Sequence, residues 1–239
     1  MIRRMAREAD AKTVLGSVWL RAEAGETRAA LSREDIVRTA IGMLGRDGLE
    51  KLSMRRLAAE LGTAATSALY WRVANKDDLL ELAVDTVLAD ALVPAEEGDW
   101  RDRLTVLAHA AYDVLAEHPW AAQLMASHAG LGPNYQAYAE RMLAILKSAG
   151  FKGVYLDAAV SAVFHYVVGA AVTDAAWSAT VRRSRLTEAE WASAAGDQLG
   201  IGAGTLAAYL SRDDSAGPEA RFQTGLRAIL IGLRPRQLI

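Results

Sequence analysis

The chain has no cysteine, only 5 prolines in 239 residues, and no surplus of either charge. Without cysteine there is no disulfide framework, no thiolate metal site and no cysteine nucleophile, and a reducing cytoplasm is the expected compartment. Runs of alternating apolar and polar residues are almost missing too. With 52% hydrophobic residues, that points to an all-α globular protein, and the length suits one or two domains. Basic and acidic groups nearly balance, 27 against 29. The first 30 residues hold 6 basic and 4 acidic groups and residues 31–93 hold 8 and 10, so no segment is a strongly basic domain. A nucleic-acid partner would therefore have to be met by a few placed side chains and helix ends, not by bulk charge. No apolar run precedes Asp10 and Lys12, which predicts no secretory signal. The longest apolar tract, Ala158 to Val172, carries His165 and falls short of the ~20 residues of a bilayer crossing, so it reads as a buried helix and no membrane partner is expected.

Start and stop signals divide the chain. Ser32 caps a helix that carries Ile36, Val37, Ala40, Ile41 and Leu44 and ends near Asp47; Ser53 caps a second, stopped by Gly62. A third is expected from about Ala65 to Val73, and Asn75 caps a fourth with Asp77 and Asp78 in its first turn. Pro94 and the Glu96–Asp99 stretch then break the chain. Beyond it the pattern predicts helices from Asp99 to His118, Pro119 to His128, Pro133 to Ala149, Leu156 to about Thr180, Thr187 to Ala195 and Pro218 to Leu233. The implied organisation is an arm over residues 1–30, a small helical domain over 31–92 and a larger one over 93–239.

Two short helices joined by a tight glycine-bearing turn, the second about two turns long, have the plan of a helix-turn-helix over about residues 53–73. The start of the second, Thr63 to Ala68, is small and polar: such residues let a helix approach base edges, and the hydroxyls of Thr63, Thr66 and Ser67 suit bases or phosphates. Tyr70, Trp71, Arg72 and Lys76 then suit the flanking phosphates. The competing interpretation is a plain three-helix core with aromatic packing.

Residues 31 to about 92 closely resemble the N-terminal domain of the tetracycline-repressor family of bacterial regulators, through "LSREDIVRTAIGMLGRDGLEKLSMRRLAAELG" and "ALYWRVANKDDLL". The resemblance implies a three-helix DNA-binding domain in which Ser53, Arg55, Thr66, Ser67, Tyr70, Trp71 and Lys76 lie at or near DNA, Lys76 on a phosphate. The chain has one more residue than is usual in the family between Gly62 and Leu69, placed around Thr63 to Ala65, so the base-reading set among Thr63, Ala64, Ala65, Thr66 and Ser67 shifts by up to one position. The segments "GDWRDRLTVLAHAAYDVLAEHPWAAQLM", "GPNYQAYAERMLAILKSAGF" and "FHYVVGAAVTDAAW" resemble the ligand-binding, dimerising domain of the same family's regulators.

The larger domain gathers Tyr112, Trp120, His128, Tyr138, His165, Tyr166 and Trp177, with Asn134 and Thr173 as polar anchors, in the manner of an apolar cleft with a few polar groups. The same groups also suit an ordinary core. Phe222, Leu226, Ile229, Leu230 and Leu233 form an apolar stripe, read as a dimer face or as cover for the chain's own core. Rival chemistries are poorly supported. Gly200, Gly202 and Gly204 follow no strand, and His109, His118, His128 and His165 show no metal-binding spacing, so no cofactor and no metal are expected. The expectation is a homodimeric repressor of operator DNA released by a small apolar or amphipathic effector. The alternatives are an all-helical enzyme using His and Tyr in that cavity, or a DNA-binding protein without effector.

Overall fold

The computed structural model describes Trp19 and residues 32–63, 66–94, 97–128, 130–200 and 217–235. The N-terminal arm, Ala65 and the Gly202–Gly204 stretch lie outside the described residues. Among those described every regular element is helical, and they form two compact units. One holds the described residues up to Leu92 together with Trp120–Glu140, and the other holds Val93–Pro119 with the described residues from Arg141 onward. The segment Trp120–Glu140, assigned above to the C-terminal domain, thus groups with the first unit.

In the first unit α1 (Arg33–Asp47) starts where Ser32 Oγ accepts the Asp35 N–H at 3.0 Å, and it buries Ile36, Val37, Ala40, Met43 and Leu44. After a 3-10 turn at Leu49–Lys51, Ser53 caps α2 (Met54–Glu60) by accepting the Arg56 N–H at 3.2 Å. α3 is shorter than its pattern predicts: the α-helix proper is Ser67–Tyr70, flanked by Thr66 and Trp71 in helical conformation. A helix of one turn has no stability of its own. Packing holds it, because Leu57, Leu69 and Leu79 are all fully buried and each such side chain contributes roughly 1.5–3 kcal/mol. α4 (Lys76–Leu88) is capped by Asn75, whose Oδ1 accepts the Asp78 N–H at 2.8 Å, and α1 packs on both α2 and α4. α6 (Pro119–Met125) contributes the buried Trp120, and α7 (Pro133–Ser148) begins in this unit and ends in the second.

In the second unit α5 (Trp100–Glu117) is capped by Asp99 and ends at His118 before Pro119, as its signals predict. α8 (Gly153–Ser184) runs for 32 residues, longer at both ends than the apolar tract from which it was inferred, and it packs along α5. By length and composition α8 is apolar enough to cross a membrane, with mean hydropathy 1.5 over its best window. Yet it carries Asp174, engaged by Tyr112 and Arg221 of the same unit. α9 (Glu188–Leu199) opens on a capping box between Thr187 and Glu190, and its Trp191 meets Trp177 of α8 edge to face at 5.0 Å. α10 (Pro218–Gly232) packs on α5 and α8. Its C-terminal carbonyls are met by Arg101, which donates to Leu230 O at 3.1 Å and Leu233 O at 3.3 Å. Such a cation offsets the negative helix end.

Candidate DNA-binding surface and ligand cavity

The turn between α2 and α3 is made by Gly62, at φ 68°, and by the Thr63 N–H returning to Ala58 O at 3.0 Å. A side chain at that φ would be strained, so glycine sets the turn. Leu69 anchors α3 inward, and the rest of that short helix faces water: Ser67 is exposed, Tyr70 is 49% exposed and Trp71 81%. An indole left almost wholly in solvent has no structural role in this unit.

The arginines of α2 divide. Arg56 is spent internally, on Asp47 Oδ2 at 2.6 Å and Lys51 O at 2.7 Å, while Arg55 beside it is exposed with no carboxylate partner among the described residues. Lys76, at the start of α4, is half-buried and donates from Nζ to Leu49 O at 3.1 Å. That bond uses one of three ammonium protons and holds the side chain beside the 3-10 turn that follows α1.

In the second unit α8 and α10 enclose an open cavity of about 380 Å³ lined by His165, Tyr166, Thr173, Asp174, Arg221 and Phe222 among others. Phe222 is the centre of an aromatic cluster. Tyr112 stacks on it at 4.0 Å, Tyr166 at 5.4 Å, and His109 meets it edge-on at 5.0 Å. The Tyr112 hydroxyl donates to Asp174 Oδ2 at 2.8 Å, and Arg221 lies 3.7 Å from Asp174 Oδ1. Tyr166 donates to Phe222 O at 3.1 Å, and it passes so close to Gly225 that a Cβ there would sit 2.0 Å from its hydroxyl. Burial, then the hydrogen bond to Asp174, pushes the Tyr112 phenol well above its ordinary value; burial also raises that of Tyr166. The wall is thus aromatic with a hydrogen-bonded polar end.

Residues 36–83 match the family described as "Bacterial regulatory proteins, tetR family", and residues 93–236 match "Tetracyclin repressor-like, C-terminal domain". The chain belongs to the tetracycline-repressor family. It is 39% identical to an HTH-type transcriptional regulator of Saccharopolyspora erythraea over 76% of this chain and 81% of that one. It is 36% identical to the HTH-type transcriptional repressor DrrR1 of Streptomyces coeruleorubidus over 85% and 77%. Among solved structures, ActR of Streptomyces coelicolor in complex with actinorhodin superposes with a TM-score of 0.69 at 29% identity, covering 86% of this chain and 96% of that one.

Of the residues that the sequence marks for a ligand in this family member, His165, Tyr166 and Thr173 line one cavity, with Tyr112 behind them. The others stand elsewhere. Trp120 and Tyr138 are buried in the first unit, Asn134 there is bonded to Asp85, and His128 is exposed beside Ser127 Oγ at 3.0 Å. Trp177 donates its indole N–H to Glu188 Oε1 at 2.7 Å. Sequence reasoning did not place Asp174, Arg221, Phe222 or His109 at this cavity; the His109 Nε2 is buried without a hydrogen-bond partner among the described residues. A signal for Asp174 was present, because it is the sole charged residue between Ala158 and Val181.

Proposed function

We propose that this regulator is a homodimeric repressor that holds a palindromic operator and lets go when a small molecule enters its second unit. The observation that carries the reading is the solvent-facing edge of the helix-turn-helix, where Arg55, Ser67, Tyr70 and Trp71 stand free around a fully buried Leu69. Ser53, Thr63, Thr66 and Lys76 complete the surface we assign to DNA, and Ala65 is assigned to it from the sequence alone. The family and the repressor DrrR1 support the same reading. The natural test is salt-titrated binding of the full chain to genomic fragments. Selection of one fragment above bulk DNA, with a linear loss on a log salt scale, supports it; equal binding to every fragment refutes it.

The actinorhodin held by ActR supports a small-molecule effector here. The cavity of His165, Tyr166 and Thr173 suits an apolar or amphipathic molecule carrying an aromatic ring, which would lie against Phe222. Release requires that this molecule favour a dimer whose two reading heads no longer match the half-site spacing, at a typical coupling of 5- to 150-fold. The upward shift of Tyr112 and Tyr166 makes neither phenol a general base near neutral pH. A protein with this role works in the cytoplasm, beside the chromosome.

A further inference from the structure

Away from that cavity, the second unit has another hollow, of about 250 Å³, between α5 and the later half of α7. Its walls are Val93, Val106, Leu107 and Ile145, and two arginines, Arg103 and Arg141, share its lining. Neither arginine has a carboxylate partner among the described residues, whereas Arg38, Arg46, Arg56 and Arg221 each have one. Arg141 is held in place by donating from Nη1 to Val93 O, which leaves the rest of its fork of donors free. Two cations with no carboxylate partner among the described residues, beside one apolar hollow in a chain of net charge -2, are not explained by the packing of either helix.

We propose that this hollow binds a small apolar carboxylate, whose anionic end is held by Arg103 and Arg141 and whose hydrocarbon body lies against Val106, Leu107 and Ile145. A guanidinium presents parallel donors that match a carboxylate, and the apolar walls give the hydrocarbon body a surface to cover. The volume lies just below the usual range for small-molecule sites, so the body is one or two rings, not an extended chain. The site is separate from the cavity of α8 and α10 and does not depend on what that cavity binds.

The test is titration of the full chain with 2-naphthoate, alongside 2-naphthylmethanol as the neutral probe of similar shape, followed by calorimetry. Saturable binding of the carboxylate at one site per chain is expected, with the alcohol about tenfold or more weaker. Arg103→Gln and Arg141→Gln should each weaken the carboxylate by about tenfold and leave the alcohol unchanged. Ala144→Trp, which fills the hollow from its exposed rim, should abolish both, with unaltered helicity as the folding control. Thr173→Trp, which fills the other cavity, should leave carboxylate binding intact. Absence of saturable binding, equal affinity for the two probes, indifference to both arginine variants, or loss of binding in Thr173→Trp would each overturn the proposal.

Discussion

The Asp85 carboxylate of α4, only 4% exposed, accepts the Tyr135 N–H at 2.9 Å and so caps the start of α7. Its second oxygen takes the Asn134 N–H at 3.3 Å and the Asn134 side-chain amide at 3.1 Å. Burial pushes this carboxyl up, and the N–H groups of Tyr135 and Asn134 partly offset the rise. Gly132 leaves room for it, since a Cβ there would fall 2.1 Å from Asp85 Oδ1. Asp85→Ala strands these donors and should cost about 2–4 kcal/mol in urea unfolding. Gly132→Ala alone should cost about 1–3 kcal/mol by overpacking. Because the obstacle in Gly132→Ala is Asp85 itself, the double variant should be less destabilised than the two costs added. Simple additivity would show that the pair does not interact.

On DNA, Lys76→Ala should weaken all sequences alike and lower the salt slope by about one phosphate, while Ser67 or Thr66 changes should alter base preference by about 1–3 kcal/mol. The bond from Lys76 to Leu49 O adds a stability arm to this test. Loss of that bond should cost at most about 1 kcal/mol in unfolding. Fluorescence of Trp71, exposed in the free protein, should change on operator binding and stay constant with unrelated DNA at high salt.

Local signals explain what was legible in the sequence. Ser32, Ser53, Asn75, Asp99 and Thr187 are all observed N-caps, because capping is decided within one turn of chain. The extent of α3 was overestimated, since a helix of one turn owes its length to tertiary packing of Leu69. The ligand grouping was harder to read for the same reason. Aromatic character marks Trp120, Tyr138 and Tyr166 equally, and only burial separates the first two from Tyr166 in the cavity wall. Asn134 carried no mark of its partner, which lies 49 residues earlier.

The capping box of α9 makes a pH prediction. The backbone N–H of Thr187, then its hydroxyl, holds the Glu190 carboxyl below its ordinary value of 4.5. A lowered folded-state value means that the stabilisation is fully present above the unfolded value and is lost as pH falls through the folded one. Acidification below about pH 4 should therefore loosen the start of α9. Trp177 and Trp191, 5.0 Å apart, report it by near-ultraviolet circular dichroism. In Glu190→Gln this acid-induced change should be absent; a change of equal size there would assign the titration to another group.

The dimer prediction has to be redrawn from the sequence reading, which placed Leu226 and Leu230 in the stripe offered to a partner. Both are buried against their own chain, at 0% and 3% exposure, as is Phe222. The exposed side of α10 instead shows Arg227, Ala228 and Ile231, the last 55% exposed, and α8 exposes Ala158 and Ser161, N-terminal to the residues that line its cavity. Only 28% of the most apolar window of α8 is buried within one chain, so a second copy is the cover we assign to it. Ile231→Glu should then yield a folded monomer by sedimentation, with wild-type helicity and operator affinity reduced toward that of one half-site. Leu226→Glu puts a charge into the core and should lower the unfolding midpoint before it affects assembly. If Ile231→Glu remains dimeric at micromolar concentration and binds the operator as tightly as wild type, these faces of α8 and α10 are not the contact between subunits.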